Sequence, residues 1–425
     1  MFELTTFSND VRLLVADQPE SPSATALVMF GVGSRFEERH QCGIAHFAEH
    51  MFFKGTERRP SARDISVEID GIGGDFNAFT GKEYTGYYVK CAAEHLDLAV
   101  DVLSDMLLHS KFDGEEITRE KGVILEEMNM YRDTPMRYIG TVYDELVYGD
   151  QPLGWDIIGT EDVITGATPE LFREFREQWY TGNRCVVGLS GAVSDAARQS
   201  VEQKFASIAP SNSARRADAA WTQDGPRVRV HHKNCDQAHI AIGLRAPSLL
   251  DEDRYALAVM NAVLGGGMSS RLFVEIRERL GLCYYVNSHH DAYTDAGTLI
   301  VQAGVDTDRI DLAITSIIEE LWKLLSHPAT EEEFRKAKNF LKGRFVLGVE
   351  DTRGLIMYGV RKEVVETGFV EPAETLARYD AVTIEDVHRV AASLLDRSQL
   401  NLAVVGPFDD PDHFAALLQP AAVTA

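Results

Sequence analysis

The sequence predicts an α+β fold of two homologous domains, each a mostly antiparallel sheet with helices packed on it. Three observations lead to this fold class. The chain has 425 residues, a length that suits two or three domains with sizeable cores. A small, polar stretch without an apolar period, residues 209–220, lies almost at the midpoint and is typical of a linker. The same order of predicted elements occurs on both sides of it, which indicates an internal repeat of about 200 residues.

Each half contains a strand, an amphipathic helix, an acidic helix and a final strand. In the first half these are residues 85–90, 95–108, 115–121 and 185–188. In the second half they are residues 297–302, 309–325, 332–338 and 402–406.

Apolar periodicity in the first half further predicts strands at 26–32 and 84–91 and helices at 43–53, 61–72, 94–108 and 114–131. Short connections between strands favour an antiparallel sheet with helices on one face.

The composition excludes several classes of protein. Hydrophobic residues make up 45% and charged residues 25%, which excludes a disordered, collagen-like or disulfide-stapled chain. The 42 Lys and Arg against 66 Asp and Glu give a net charge of −24. This acidity argues against nucleic acid or a membrane as partner and leaves cationic peptides and small molecules open. On charge alone, simple solubility is the alternative interpretation.

The sequence also predicts a cytoplasmic protein. Its N-terminal residues lack the basic and apolar regions of a signal peptide, and no apolar stretch is long enough for a membrane span. The five cysteines are scattered and form no CxxC pair, which is typical of reduced thiols.

The strongest functional signal is the segment His46-Phe47-Ala48-Glu49-His50. On the predicted helix, His46 and His50 are one turn apart on the same face and could bind one tetrahedral zinc ion. Glu49 flanks that face and could reach a water on the ion without being a ligand. This spacing is HxxEH, the inverted zincin motif. Two core histidines on an amphipathic helix are the structural alternative.

A catalytic zinc site needs a third protein ligand, and the acidic residues 115–127 are the obvious source. Glu120 and Glu127 are seven positions apart and share a helix face, whereas Glu126 points elsewhere. The spacing leaves Glu120 and Glu127 as candidates without choosing between them. An exposed acidic helix face is the alternative for either residue.

The chain resembles the pitrilysin/insulinase family of zinc metallopeptidases, most closely the branch of mitochondrial processing peptidase and its bacterial relatives. The resemblance covers essentially the whole chain and rests on residues 46–56, 73–80, 119–128, 271–273 and 277–284. It implies a processing-peptidase-like duplicated fold and one Zn²⁺ per chain. By the resemblance, His46, His50 and Glu127 are the metal ligands, Glu49 is the general base, and Glu120 is the supporting carboxylate of the catalytic site.

The resemblance also implies substrate contacts in both halves. Residues 75–80 alternate like a strand, and in the family this strand is an exposed edge to which the peptide adds. Its predicted substrate-binding residues are Asn77, Ala78 and Phe79, and an ordinary core strand is the alternative. Arg277 and Tyr284 match a pair that reaches the active site from the second half and could steady an oxyanion. Taken singly, Arg277 would be a surface helix charge.

The internal repeat predicts one active and one inactive copy. Aligned at the acidic helix, Glu120 corresponds to Ala337 and Glu127 to Arg344. We therefore predict a catalytic zinc-binding domain at residues 1–208, a linker at 209–225 and a homologous inactive domain with substrate-binding residues at 226–425. The long glycine-rich loop of the non-catalytic processing-peptidase subunit is absent, which favours a self-sufficient or homodimeric enzyme.

Together these features predict a zinc-dependent endopeptidase that hydrolyses unfolded peptides or short basic segments in a closed chamber. A catalytically silent peptide-binding or scaffold subunit of the same fold is the alternative. A core subunit of a respiratory complex is a third interpretation. The intact set of ligands and Glu49 argue against a silent binder, because a binder does not need a general base.

Overall fold

The structure is a computed structural model that describes residues 2–212, 214–366 and 368–419. The chain divides into two compact units of three segments each. Unit 1 consists of Met1–Met128, Asp156–Ala217 and Val346–Pro372. Unit 2 consists of Asn129–Trp155, Asp218–Phe345 and Ala373–Ala425.

The described strands of unit 1 form one sheet. In chain order they are β1 (Phe2–Thr6), β2 (Arg12–Asp17), β3 (Ser23–Phe30), β4 (Asp75–Thr80), β5 (Thr85–Ala92) and β6 (Cys185–Gly191). Their order across the sheet is β1-β2-β6-β3-β5-β4. Each neighbouring pair is antiparallel except β2 and β6, which are parallel.

Unit 2 repeats this topology. Its described strands are β7 (Arg227–His232), β8 (Gln237–Arg245), β9 (Cys283–Ala292), β10 (Gly297–Asp306) and β11 (Asn401–Gly406). Their order is β7-β11-β8-β10-β9, which corresponds strand by strand to β2-β6-β3-β5-β4. Here too a single pair is parallel, β7 and β11, which corresponds to β2 and β6 of unit 1. The predicted duplicated, mostly antiparallel α+β fold is confirmed.

The described α-helices agree with the periodicity of the sequence. The four helices predicted in the first half match α1 to α4 with ends that differ by at most two residues. In chain order the helices are α1 (Ile44–Phe52), α2 (Ala62–Asp70), α3 (Leu96–His109), α4 (Gly114–Arg132), α5 (Pro135–Tyr148), α6 (Glu161–Gly166), α7 (Pro169–Trp179), α8 (Asp195–Phe205), α9 (Arg254–Gly265), α10 (Ile310–Ser326), α11 (Glu331–Gly348), α12 (Thr352–Val365), α13 (Pro372–Ala381), α14 (Ile384–Leu394) and α15 (Pro411–Leu418). In the part of the chain that the structure describes, no helix combines the length and apolar composition of a membrane-crossing segment.

Helices cover both faces of each sheet, so the expectation of helices on one face is wrong. In β3, Val28 belongs to the main core of unit 1, whereas Leu27 packs with Ile356 and Val360 of α12. In unit 2, α5 packs on β11 and β8 in the same way. The physical reason is that both faces of the central strands are apolar. Seven consecutive residues of β3 are buried, where a strand with one solvated face would alternate.

The two compact units do not coincide with the two halves of the sequence on either side of the predicted linker at 209–225, because of the helices that cover the second face of each sheet. Helix α5 lies in the first half of the sequence but belongs to unit 2, and α12 lies in the second half but belongs to unit 1. Each unit thus takes one helix from the other half to bury its second apolar face. The described residues of 209–226 form no helix or strand, and one boundary between units, after Ala217, falls among them.

Candidate active site

The HxxEH segment forms most of α1, which lies in unit 1. Its apolar residues Ile44, Phe47 and Met51 follow helical spacing and are fully buried. His46 and His50 lie on the other side, with 14% and 22% of their side chains exposed, and their ring centroids are 4.8 Å apart. The predicted convergence of the two imidazoles is therefore present.

The N-terminus of α1 is buried and is held by Glu37. The Glu37 carboxylate accepts hydrogen bonds from the backbone N–H groups of Gly43 at 2.9 Å and Ala45 at 2.7 Å. Burial raises the pKa of Glu37 to about 8, although these two hydrogen bonds act in the opposite direction. Gly43 has a φ of +98°, and a Cβ there would meet the Cα of Gly159 at 2.6 Å. These contacts fix the position of α1, and with it that of both histidines.

Glu127 of α4 completes a cluster of three possible metal ligands. Its Oε2 lies 3.7 Å from Nε2 of His46 and 3.6 Å from Nε2 of His50. One ligand atom from each of the three residues lies within 4.8 Å of the others, and no other such group occurs among the described residues. Two imidazoles and one carboxylate are a donor set found in catalytic zinc sites, so the residues fit this metal.

His46 is suited to be a neutral ligand. Burial, together with the nearby charge of His50, lowers the pKa of His46 to about 3. His46 is therefore uncharged at neutral pH and has a nitrogen lone pair to offer a metal ion. Its Nδ1 is buried and has no hydrogen-bond partner within the described residues.

Glu120 lies behind His50 and outside the cluster of ligands. Nδ1–H of His50 donates to Oε1 of Glu120 at 2.9 Å, and Nζ of Lys54 lies 2.5 Å from Oε2. Burial opposes ionisation of Glu120, but the hydrogen bonds from His50 and Lys54 outweigh it and lower its pKa. Because an ionised carboxylate only accepts hydrogen bonds, Nδ1 of His50 carries a proton in this contact, and Nε2 is the ring nitrogen that faces Glu127. The structure thus separates the two acidic candidates that helix spacing left equivalent.

Glu49 lies on the same helix as the histidines and is half-buried. Its Oε2 accepts a hydrogen bond from the hydroxyl of Thr80 at the end of β4. Burial raises the pKa of Glu49, although the Thr80 hydrogen bond and the His50 charge act against this rise. A carboxylate whose pKa is raised binds a proton more readily than a free one, which suits a group that takes up and returns a proton.

The predicted substrate strand is an edge strand, so the alternative of an ordinary core strand is wrong. Among the described strands, β4 pairs only with β5. Asn77 is exposed, and its side chain accepts a hydrogen bond from the N–H of Ala78 at 2.8 Å. Ala78 and Phe79 are half-buried, and the Phe79 ring lies over Gly86, where a Cβ would approach it to 2.2 Å. Packing thus holds this edge of the sheet in place.

Arg277 and Tyr284 lie in unit 2 and contact each other. Arg277 belongs to a π-helical segment, Phe273–Arg279. Its guanidinium carbon is 5.2 Å from the ring centroid of Tyr284 and 4.7 Å from that of Phe273. The Tyr284 ring is on the surface of its unit, with 74% of the residue exposed. Their role towards a substrate stays a prediction.

Three residues of the site were not predicted in these roles, namely Glu37, Lys54 and Thr80. Lys54 and Thr80 lie in segments that carry the family resemblance, which was the available signal for both. Their contacts join residues far apart in the chain, for example Thr80 and Glu49 with a separation of 31 positions. No local pattern indicates such a pair. Glu37 precedes the helix by too many positions to fit a capping box.

Comparisons with known proteins agree with these observations. The profile described as Insulinase (Peptidase family M16) matches residues 12–161, and the profile described as Peptidase M16 inactive domain matches residues 166–341. The uncharacterized zinc protease YmxG of Bacillus subtilis is 35% identical over 407 residues, which cover 96% of this chain and 98% of that protein. An uncharacterized zinc protease of Streptomyces coelicolor is 36% identical over 413 residues, which cover 96% of this chain and 90% of that protein.

The fold is similar to that of solved structures. The crystal structure of a protease from Helicobacter pylori has a TM-score of 0.88 at 22% identity, with 96% of this chain and 99% of that chain covered. The resemblance to the insulinase family inferred from the motifs is confirmed along nearly the whole sequence by the profiles and the curated relatives. With profiles that match both halves and relatives this similar over 90% or more of their length, the chain belongs to the insulinase family of peptidases, Peptidase family M16.

Proposed function

We propose that this chain is a zinc-dependent endopeptidase that hydrolyses unfolded peptides or short basic segments, with Glu49 as the general base. One observation carries the proposal: ligand atoms of His46 and His50 on α1 and of Glu127 on α4 lie within 4.8 Å of one another. Helix α1 also carries Glu49. A scaffold or silent binder needs neither the ligands nor a carboxylate whose pKa is raised beside them. Relatives that are named zinc proteases support the same conclusion.

In this proposal His46, His50 and Glu127 hold one Zn²⁺ per chain. When bound, the ion lowers the pKa of water towards about 7 and polarises the scissile carbonyl. Glu120 orients His50 through the Nδ1–H hydrogen bond, and Lys54 keeps Glu120 ionised. The orientation of the metal ligand His50 is thus assigned to two residues, Glu120 and Lys54, that do not contact the substrate.

Glu49 carries the proton transfers of hydrolysis. Its carboxylate takes one proton from the attacking water while the water oxygen forms a bond to the carbonyl carbon. It then gives this proton to the amide nitrogen as the C–N bond breaks, so that the products are a carboxylic acid and an amine. The raised pKa of Glu49 suits both steps, because the protonated form must be a stable intermediate state of the cycle.

Substrate binding is assigned to the edge strand. A peptide in extended form would pair with β4 along Asn77, Ala78 and Phe79, and backbone pairing of this kind requires no particular sequence. Arg277 and Tyr284 would supply a guanidinium and a hydroxyl for the carbonyl oxygen of the substrate. Both assignments explain how an unfolded chain could be cleaved at sites of varied sequence.

The variant Glu49→Gln tests the proposal. We expect it to keep one zinc per chain, because Glu49 is not a ligand, and to lose about 10²–10⁴-fold in kcat/KM, because it lacks the proton acceptor. Cleavage of an internally quenched basic peptide and metal analysis by mass spectrometry measure the two quantities. A chelator should abolish wild-type cleavage.

The matched control is Glu126→Gln, on the exposed side of α4, which should cleave like the wild type. Undiminished cleavage by Glu49→Gln would refute the mechanism. A wild-type chain that binds zinc and cleaves no peptide would support the silent binder instead.

A further inference from the structure

Thr80 is the residue through which the edge strand contacts Glu49. It is the last residue of β4, and its hydroxyl donates a hydrogen bond to Oε2 of Glu49. Its backbone is held in the ladder opposite Thr85 of β5. Thr85 is fully buried and donates its own hydroxyl to the carbonyl of Val32 at 2.8 Å. The hydroxyl that reaches Glu49 therefore projects from a backbone position that pairs with a buried residue of the sheet.

This hydrogen bond distinguishes the two oxygens of Glu49. A hydroxyl has a single proton to donate, and here that proton is given to Oε2. Oε1 receives no proton from this hydroxyl, so it could interact with a water instead. A half-buried glutamate without such a partner would have to lose side-chain entropy on adopting one orientation during the reaction. With Thr80 in place, the orientation is set in advance.

We propose that Thr80 is a positioning residue for the general base, which holds Oε2 of Glu49 and leaves Oε1 to transfer the proton. The inference rests on the proposed function, because it requires Glu49 to act as a base. It also gives β4 a second role. A peptide paired with β4 is bound to the same strand that orients Glu49, so the base and the scissile bond are aligned by one element.

The variant Thr80→Val removes the hydroxyl and keeps the shape and strand preference of the side chain. We expect kcat to fall about 10–100-fold, the effect of losing one hydrogen bond to a charged group, with KM unchanged. Zinc content and the affinity for a non-cleavable peptide should equal those of the wild type, since Thr80 is neither one of the three clustered ligands nor one of the residues proposed to pair with the peptide. Thr80→Ser should restore kcat to within about threefold, because it restores the hydroxyl.

The matched control is Thr5→Val, the same change at an exposed position of β1, on the opposite edge of the same sheet. It should behave like the wild type in all four measurements. The inference would be overturned by a wild-type kcat in Thr80→Val, or by a Thr80→Ser variant as slow as Thr80→Val. It would equally be overturned if Thr80→Val were slow because it had lost zinc or peptide affinity, since its role would then be structural.

The experiment separates this inference from the proposed function. A wild-type chain that holds zinc and cleaves no peptide overturns the proposed function and this inference with it. An active wild type with an unaffected Thr80→Val overturns the inference alone.

Discussion

Glu120 and Glu127 illustrate how neighbouring groups give two similar residues different roles. Both are glutamates on one face of α4, two turns apart. Oε2 of Glu127 faces Nε2 of both histidines, whereas Glu120 is enclosed by Nδ1 of His50 and the ammonium group of Lys54. Both oxygens of Glu120 therefore already have partners, His50 and Lys54, whereas Oε2 of Glu127 faces the two histidines. The distinction depends on the partners and not on the type of residue.

We predict that Glu120→Gln weakens zinc binding about 10–100-fold while the protein remains folded. The amide removes the negative charge that holds His50 in the tautomer with a free Nε2, and supporting partners of metal ligands typically have effects of this size. The dissociation constant for zinc can be measured by competition with a chromophoric chelator. Glu115→Gln, at a position on the same helix with 88% of its side chain exposed, is the control. Equal zinc affinity in the wild type and Glu120→Gln would contradict this role.

Helix α11 corresponds to α4 in the repeat but carries no predicted metal ligand. One of its acidic residues, Glu333, stabilises the start of the helix instead. At its start, Glu333 accepts the backbone N–H of Thr330 at 2.9 Å, and the Thr330 hydroxyl accepts the N–H of Glu333 at 3.3 Å, which forms a capping box. The guanidinium of Arg271 donates two hydrogen bonds to the same carboxylate, at 2.7 and 2.8 Å. Arg271 lies in a segment that carried the family resemblance, and its observed role is to hold this helix.

We predict that this contact makes part of the stability acid-sensitive. The hydrogen bonds from Arg271, with that from Thr330, lower the pKa of Glu333 from 4.5 to about 2, although burial opposes the change. Above pH 4.5 the contribution to the free energy of unfolding is complete. Between pH 4.5 and 2 the unfolded chain binds a proton that the folded chain does not, so the contribution is lost as the pH falls.

The variant Glu333→Gln should therefore be less stable than the wild type near pH 7, by on the order of 2 kcal/mol, and this difference should shrink as the pH falls below 4.5. Urea unfolding at a series of pH values measures it. Glu332→Gln, at an exposed neighbouring position, should follow the wild type. A difference that stays constant with pH would refute the assignment.

The protein as a whole carries a net charge of −24. This charge argues against nucleic acid as a partner, and for a peptidase it predicts a preference for basic peptides through long-range attraction. The attraction must weaken with salt, because the Debye length falls from about 10 Å at 0.1 M to about 3 Å at 1 M.

We predict that kcat/KM for a peptide rich in Arg and Lys decreases as the salt concentration rises, whereas a matched acidic peptide shows no such decrease. Initial rates with the two quenched peptides over a series of salt concentrations provide the measurement. If both peptides were cleaved equally fast at low salt, the charge would serve solubility alone.

Local patterns were sufficient to predict α1, the spacing of His46, Glu49 and His50, and the repeated order of elements. Helical and strand periodicities are properties of a few adjacent residues, so the sequence displays them directly. Conversely, the contacts of Thr80 with Glu49 and of Lys54 with Glu120 join residues far apart in the chain, and no local pattern encodes them. Glu37 lies nearer to the helix it holds but outside the spacing of a capping box.

Long-range contacts also explain why α5, from the first half of the sequence, belongs to unit 2 and α12, from the second half, belongs to unit 1. Each sheet has two apolar faces, and which helix covers the second face depends on the whole fold, not on the order of elements. Long-range packing therefore determined the limits of the compact units, the choice between Glu120 and Glu127 next to the histidines, and the hydrogen bond that orients Glu49. Periodicity specifies which elements form, and burial of their apolar faces specifies which side chains meet.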